Sequence, residues 1–477
     1  MLNCLISERC RRFGPFSAVL CAALLSHWPS PVSAEPALEI TLTEDDIVDV
    51  GAGMYLATGL EAPDPRGLPV VGSEEKDPHS GLLRRRVAAG DAQGFAGIVY
   101  ENRDRGHSRL RYENFPALTW LNYSEPLRAR GLDYGLAGAM RTGLVTLGNS
   151  STALTRGKNW RSHVRHAMTE TRLPELMFGT YSNNQIYVYP EHRDHDDIDH
   201  FPANWPYAVA SQGSSGSDKE FLKAIALTLA AFRPETFKRL RDEGLIAPTL
   251  QMIMRSELAT VTRAEHYFTG RAHPVVFQGR DLRPGRMVAR AAALDPGTIP
   301  PMVRLRIEEE IFADEAGLGG LSERLFDTPS AVARIWRDTA GRKSMTVSAD
   351  ETTDPNGRDL VFSWHVLSGE ADKVRIDPLN ASGSRARIEI DWQAPRTLRG
   401  QGSTGTGRLQ SRLDIGVFAS NGVEISAPAF ITVDIPAHQI RVYEEGGDGG
   451  PELVSIDYDA VGRGFYFDPV LFWSAPC

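Results

Sequence analysis

Two polar segments hold the densest chemistry of this chain. Glu191-His-Arg-Asp-His-Asp-Asp197, with Asp199 and His200 behind it, packs three histidines and five acids into ten residues. His192 and His195 are three apart, so both imidazoles can meet one ion on a helix or tight turn. Asp194 or Asp196 can add a carboxylate, and such sets suit zinc or a similar divalent metal. The metalloprotease string His-Glu-x-x-His is absent. The plainer reading is a solvated acidic loop whose histidines pair with neighbouring carboxylates.

The second segment, Ser211-Gln-Gly-Ser-Ser-Gly-Ser-Asp218, follows an apolar run and opens a helix-like one. Gly213 and Gly216 allow close backbone approach, and a helix start aims N–H groups at an anion. Ser214, Ser215 or Ser217 can serve as nucleophile, with His192 as base and Asp194 orienting it. Gly-Ser-Ser-Gly is one residue too short for a nucleophile elbow. An anion cradle is the second reading, and turn chemistry with Ser217 as N-cap is the third. Two further polar stretches, Tyr100–Ser108 and Gly148–Thr152, also follow short apolar runs. There Asp104 and His107 offer an acid–base pair, Asn149 an oxyanion donor, and Ser150 a further binding contact.

All four stretches need strands to deliver them to one edge. Short apolar runs at Ala96–Tyr100, Leu118–Leu121, Leu144–Leu147, Ile186–Tyr189, Ala208–Ala210, Val275–Phe277 and Val303–Ile307 supply strand candidates. Phe221, Ala224, Ile225, Thr228, Leu229 and Phe232 keep helical spacing over Lys219–Phe232, with Ser217 and Glu220 at capping-box spacing. Pro234 ends that helix, and a second over Glu235–Glu243 stops at Gly244. Strands alternating with helices predict a layered α/β domain with a mostly parallel sheet over 35–335. Ligands of such sheets bind outside the strands' carboxyl ends.

Past residue 343 the pattern changes. Ala386, Ile388 and Ile390 alternate with charged residues, as do Leu413, Ile415 and Val417, and Asn421-Gly422 marks a hairpin turn. A smaller all-β sandwich is predicted over 343–436, and a C-terminal hairpin or tail over 437–477. Val347-Ser-Ala-Asp350, Asp354-Pro-Asn-Gly357, Leu360-Val-Phe-Ser-Trp364 and Gly369, closed by Arg412–Val433, resemble a PKD-type immunoglobulin-like module. Val366-Leu-Ser-Gly369 stands where that family often has Gly-Asp-Gly. The resemblance implies an extracellular spacer or adhesion module, frequently attached to secreted hydrolases, with Trp364 as its buried core aromatic. The larger part resembles an uncharacterised group of exported bacterial proteins, which implies no activity. Gly400-Gln-Gly-Ser-Thr-Gly405 matches a dinucleotide fingerprint only as a string, because it opens no helix.

The first 34 residues have the form of a signal peptide: Arg9, Arg11 and Arg12, an apolar stretch over Phe13–Leu25, then Val32-Ser-Ala34. Three of the four cysteines lie within it, leaving Cys477 and no internal disulfide. These features predict an exported bacterial protein, periplasmic or extracellular. The whole chain of 477 residues carries a net charge of −9; without its first 34 residues, which hold three arginines and one glutamate, the charge is −11. Such a balance argues against nucleic-acid partners, and no later stretch is apolar enough to span a membrane. The reading that follows is a hydrolase acting on an extracellular or envelope small molecule or polymer, with a PKD-like attachment module and a possible divalent metal. Its rival is a non-catalytic envelope protein that binds glycan or protein through the same crevice.

Overall fold

A computed structural model of the chain describes residues 38–51, 53–135, 140–150, 168, 172–191, 201–317, 319–398, 408–410, 412–435, 439–447, 450–458, 467–468 and 473–474. Its core is a seven-stranded sheet of β1 (Glu39–Leu42), β2 (Ile98–Arg103), β3 (Thr119–Tyr123), β4 (Val145–Ser150), β5 (Gln185–Glu191), β6 (Val209–Gln212) and β7 (Val276–Phe277). Every pairing is parallel and the spatial order is β1-β3-β2-β4-β5-β6-β7. The chain therefore steps from β2 to one side and returns to the other. That reversal opens a crevice between the carboxyl ends of β2 and β4, where ligands of open α/β sheets bind.

Burial of both sheet faces explains the apolar starts of these strands. Ile98, Val99 and Tyr100 are fully buried, as are Tyr187, Val188 and Tyr189. The helices α1 (Ser80–Ala88), α2 (Glu125–Ala129), α3 (Leu173–Tyr181), α4 (Lys219–Ala231), α5 (Pro234–Asp242), α6 (Ile246–Ser256) and α7 (Pro284–Ala293) supply the remaining layers. In α4 every residue from Ala224 to Ala231 is buried, so it is an internal helix rather than a surface one. On the other face, Val99, Leu121 and Tyr123 pack with Leu42, Leu127 and Met140.

Several expectations shift. The strands run two to three residues further than their apolar cores, so Glu101, Arg103, Asn149, Ser150 and Glu191 are buried strand residues rather than loop residues. The segment expected at Val303–Ile307 begins at Arg306 and joins the β-rich half, not the parallel sheet. The division at 335/343 is corrected accordingly. One sheet contains β8 (Arg306–Glu310), β11 (Arg342–Ser348), β14 (Arg385–Asp391) and β13 (Val374–Pro378) in that spatial order. The other contains β9 (Arg324–Thr328), β10 (Ala331–Ile335), β16 (Ala429–Asp434), β15 (Arg412–Ser420) and β12 (Val361–Ser368). Three strands from residues that the sequence reading counted with the α/β part thus belong here. Their pairings are antiparallel except β10 with β16.

The two sheets share a core in which Met345, Val347, Ile388 and Ile390 meet Leu413, Ile415, Val417 and Val433. Trp336, not Trp364, is its fully buried indole; Trp364 is half-buried and donates from Nε1 to Gly383 O at 2.7 Å. Beyond it, Ile440–Glu445 pairs with Pro451–Asp457 as an antiparallel hairpin. The two halves are joined by side chains as well as by chain. Arg412 Nη1 donates to Phe201 O at 2.7 Å, and Asn204 N donates to Thr432 Oγ1 at 3.1 Å. Phe326, Ala333 and Phe418 of the β-rich half lie in the same hydrophobic cluster as Tyr207, Ile253 and Tyr267. Among the described residues no helix is long and apolar enough to cross a membrane.

Candidate functional site

The reversal point between β2 and β4 is occupied by a hydrogen-bonded set centred on Asn149. Strand register places Asn102 opposite Asn149 and Arg103 opposite Ser150. Alternation along β2 sends Tyr100 and Asn102 to one face, Glu101 and Arg103 to the other. On the first face, Asn149 Oδ1 accepts from Tyr100 Oη at 2.6 Å and from Asn102 Nδ2 at 3.1 Å. Asn149 Nδ2 donates to Asp218 Oδ2 at 3.2 Å and to His107 O at 3.3 Å. Burial pushes the Tyr100 phenol well above its ordinary range, so it stays a donor.

Asp218 is the residue with the most perturbed chemistry here. It sits at the start of α4, fully buried, and burial raises its carboxyl to about 6, with the charge of Asp104 adding to the rise. Ser108 and Asn149 oppose that rise by favouring the carboxylate. Neither Ser108 Oγ nor Asp218 Oδ1, however, makes a hydrogen bond of normal geometry, although both are buried. Gln212 Nε2, at the end of β6, is a third buried polar atom without a partner. Three such atoms thus lie along one sheet edge, two of them, Ser108 Oγ and Asp218 Oδ1, near enough for the hydroxyl to favour the carboxylate.

The loop that brings Ser108 there is backbone-strained. Arg105 and Ser108 adopt left-handed φ values of 49° and 52°, with Gly106 at 88° between them. Such conformations cost of order 1–3 kcal/mol for residues with a side chain and cluster at functional sites. Asn102 holds the loop from inside: Oδ1 accepts from Gly106 N at 2.8 Å, and Nδ2 donates to His107 O at 2.9 Å.

The opposite face of β2 carries a closed ionic network. Glu101 and Arg103 are fully buried, with Oε1 and Nη1 2.9 Å apart. Tyr187 Oη donates to Glu101 Oε2 at 2.6 Å, and Tyr123 Oη donates to Glu101 Oε1. Arg103 also donates to the carbonyls of Tyr134 and Gly135, and Ser150 Oγ donates to Gly135 O. This set is satisfied by the protein itself and fixes the β2 end on which the site depends.

The expected residues are placed unevenly. Asp104 and Asn149 stand at the crevice, and Asp104 is buried with its charge reaching Asp218; Ser150 is fully buried on the opposite face with its hydroxyl on Gly135 O, which corrects the binding contact expected of it. His107 contributes its carbonyl oxygen, while its side chain is exposed. Both amide hydrogens of Asn149 are already donated, which corrects the oxyanion role expected of it. Ser214 and Ser215 are exposed. Ser217 is not the N-cap: that position is Asp218, and Ser217 Oγ lies 3.0 Å from Ser211 Oγ. His192, Asp194, His195 and Asp196 lie outside the described residues, so the metal reading and the serine–histidine pairing fall there too. Among the described residues no group of three His, Cys, Asp or Glu is placed to hold a metal. Sequence reasoning passed over Tyr100, Asn102, Ser108 and Asp218. For Asn102 the available signal was a polar residue two positions after an apolar strand core; Tyr100, Ser108 and Asp218 carried none.

No family model matches this chain, and no curated protein matches it. Among solved structures, a nucleoside hydrolase-related hypothetical protein from Saccharophagus degradans, associated with carbohydrate metabolism, is similar at 10% identity. The likeness covers 61% of this chain and 71% of that one with a TM-score of 0.20, too low to carry any conclusion.

Proposed function

We propose that this protein is an exported hydrolase whose site is the crevice between β2 and β4, with Asp218 as its general base. The observation that carries this reading is the Asp218 carboxyl: buried, raised to about 6, with Asn149 holding Oδ2 and with Oδ1 in no hydrogen bond of normal geometry. A base of that affinity is largely ionised at neutral pH yet still binds a proton firmly, which is the compromise general-base catalysis needs. Oδ1 takes the proton of an attacking water, and the water oxygen bonds to the electrophilic centre as the leaving group departs. The proton then returns to solvent. Asp104 holds the affinity of Asp218 up, and Tyr100 and Asn102 fix the Asn149 amide. Export is supported by the signal-like first 34 residues, and a PKD-like attachment role for the β-rich half by its sequence resemblance.

The test is a panel of chromogenic esters, glycosides, phosphate esters and sulfate esters, assayed from pH 5 to 8. The wild type should hydrolyse one class, with activity rising through about pH 6. Asp218→Asn should lose roughly 100-fold or more, while Ser217→Ala stays within a few-fold. A variant Asp218→Asn that keeps its rate sinks the assignment, and loss in Ser217→Ala alone turns it toward a serine nucleophile. Tight ligand binding with no hydrolysis would support the envelope-binding rival.

A further inference from the structure

A cavity of about 540 Å³ lies beside this crevice, over the carboxyl ends of β2 and β3, and the reaction outlined above leaves it unused. Its walls combine three kinds of chemistry. Tyr112 and Trp120 supply aromatic surface, their rings 4.0 Å apart at 69°. Arg105, Arg109 and Arg128 supply positive charge, Arg128 being paired at 2.9 Å with Glu125 of the same lining. Asn102 and Asp133 supply polar edges.

Three details favour a ligand over a plain solvated hollow. Arg105 lines the rim, reaches its carboxylate neighbour Asp133 only at 3.9 Å, a weak pair, and lies 5.0 Å from the centroid of the Tyr134 ring. Asp133 Oδ1 is buried and has no hydrogen-bond partner, so it is an acceptor waiting for a donor. Asn102 lines the cavity and also bonds Asn149, and the Trp120 ring packs edge-on against Tyr100 at 4.5 Å. A molecule held here therefore abuts the residues that hold Asp218.

We infer that this cavity is a substrate subsite for an acidic sugar unit, a ring bearing hydroxyls and one carboxylate or sulfate group. Aromatic walls suit the apolar face of a sugar ring, guanidinium groups pair with planar or tetrahedral anions, and Asp133 Oδ1 accepts from a ring hydroxyl. A neutral aromatic ligand would make no use of the guanidinium charge at the rim, and a bare phosphate would leave both the rings and Asp133 unused. The inference deepens the hydrolase reading by naming a substrate class, and it rests on that reading for its catalytic meaning but not for its binding.

The test is calorimetric titration of the full exported chain with three probes: oligogalacturonate, a sulfated disaccharide and a neutral cello-oligosaccharide. Wild type and Asp218→Asn should both bind one acidic probe at least tenfold more tightly than the neutral one, with affinity falling as salt rises. Arg105→Gln and Arg109→Gln, both at exposed positions, should each weaken that binding about tenfold, the size of one lost charge-assisted hydrogen bond. Asp133→Asn should weaken it as well, while thermal midpoints confirm that all variants fold. Binding of carboxylate over sulfate, or the reverse, identifies the anion. Equal affinity for the neutral probe, no binding of either acidic probe, or undiminished binding in the arginine variants overturns the subsite. Acidic binding that survives in an Asp218→Asn protein with undiminished hydrolysis keeps the subsite and discards the base.

Discussion

The Asp218 carboxyl makes the fold less stable at neutral pH, and the size of that effect can be worked out. Its ordinary value of 3.8 rises to about 6 in the fold, chiefly through burial. Below pH 3.8 the group is protonated in both folded and unfolded chains and contributes no difference. Between 3.8 and about 6 the unfolded chain releases its proton while the folded one keeps it, so stability falls as pH rises. Above about 6 the loss is complete. At about 1.4 kcal/mol per pH unit, the gap amounts to about 3 kcal/mol. Asp218→Asn removes the titration and keeps an oxygen for Asn149 Nδ2. Any fixed cost of placing an amide beside Ser108 is the same at every pH. Urea unfolding of wild type and variant from pH 4 to 8 should therefore show their free-energy difference moving by about 2.5 kcal/mol in favour of Asn, most of it between pH 4 and 6. A difference that stays flat with pH would refute the raised affinity, and the base assignment with it.

Other outcomes follow from the same network. Glu101→Ala leaves the Arg103 guanidinium buried without its carboxylate and should cost about 3–5 kcal/mol of unfolding free energy. A Glu101→Gln/Arg103→Met double variant should lose much less, because no charge is stranded. Gly148→Ala brings a Cβ to 2.3 Å from Cε1 and 2.5 Å from Cδ1 of the buried Tyr187 ring. It should destabilise by about 1–3 kcal/mol, and a denaturation midpoint unchanged from wild type would contradict the packing. Tyr100→Phe removes one donor to Asn149; it should lower activity several-fold while the thermal midpoint shifts only modestly.

The parallel sheet was readable because its strands carry unbroken apolar starts: six of its seven strands coincide with short runs such as Leu144–Leu147 and Ile186–Tyr189. The seventh, Glu39–Leu42, is an edge strand with polar residues at alternate positions and gives no such run. What the runs conceal is where strands end. Glu101, Arg103, Asn149 and Ser150 look like loop residues by polarity, and only pairing across the sheet, invisible in one sequence, buries them in register. Asp104 and Asn149 were legible as members of polar stretches after strands. Asp218 was not, because an acid at a helix start ordinarily reads as a cap, whereas here its carboxylate turns toward Asn149. The half-boundary was misplaced for a similar reason. Residues 306–335 alternate weakly, and their partners lie as much as 100 residues downstream in Ala429–Asp434.

The filling shared by the two halves bears on how such a chain tolerates exchange of its parts. Phe418 packs against Tyr267, and Phe326 and Ala333 lie in one cluster with Tyr207 and Ile253 of the α/β half. A recombination event that exchanged the β-rich half for another would strip this shared filling from both parents. Most such hybrids would be eliminated in the folding step, before any catalytic fitness could be judged. The two halves thus depend on one common interior, whereas Arg105, Arg109 and Asp133 lie at the cavity rim outside that hydrophobic cluster.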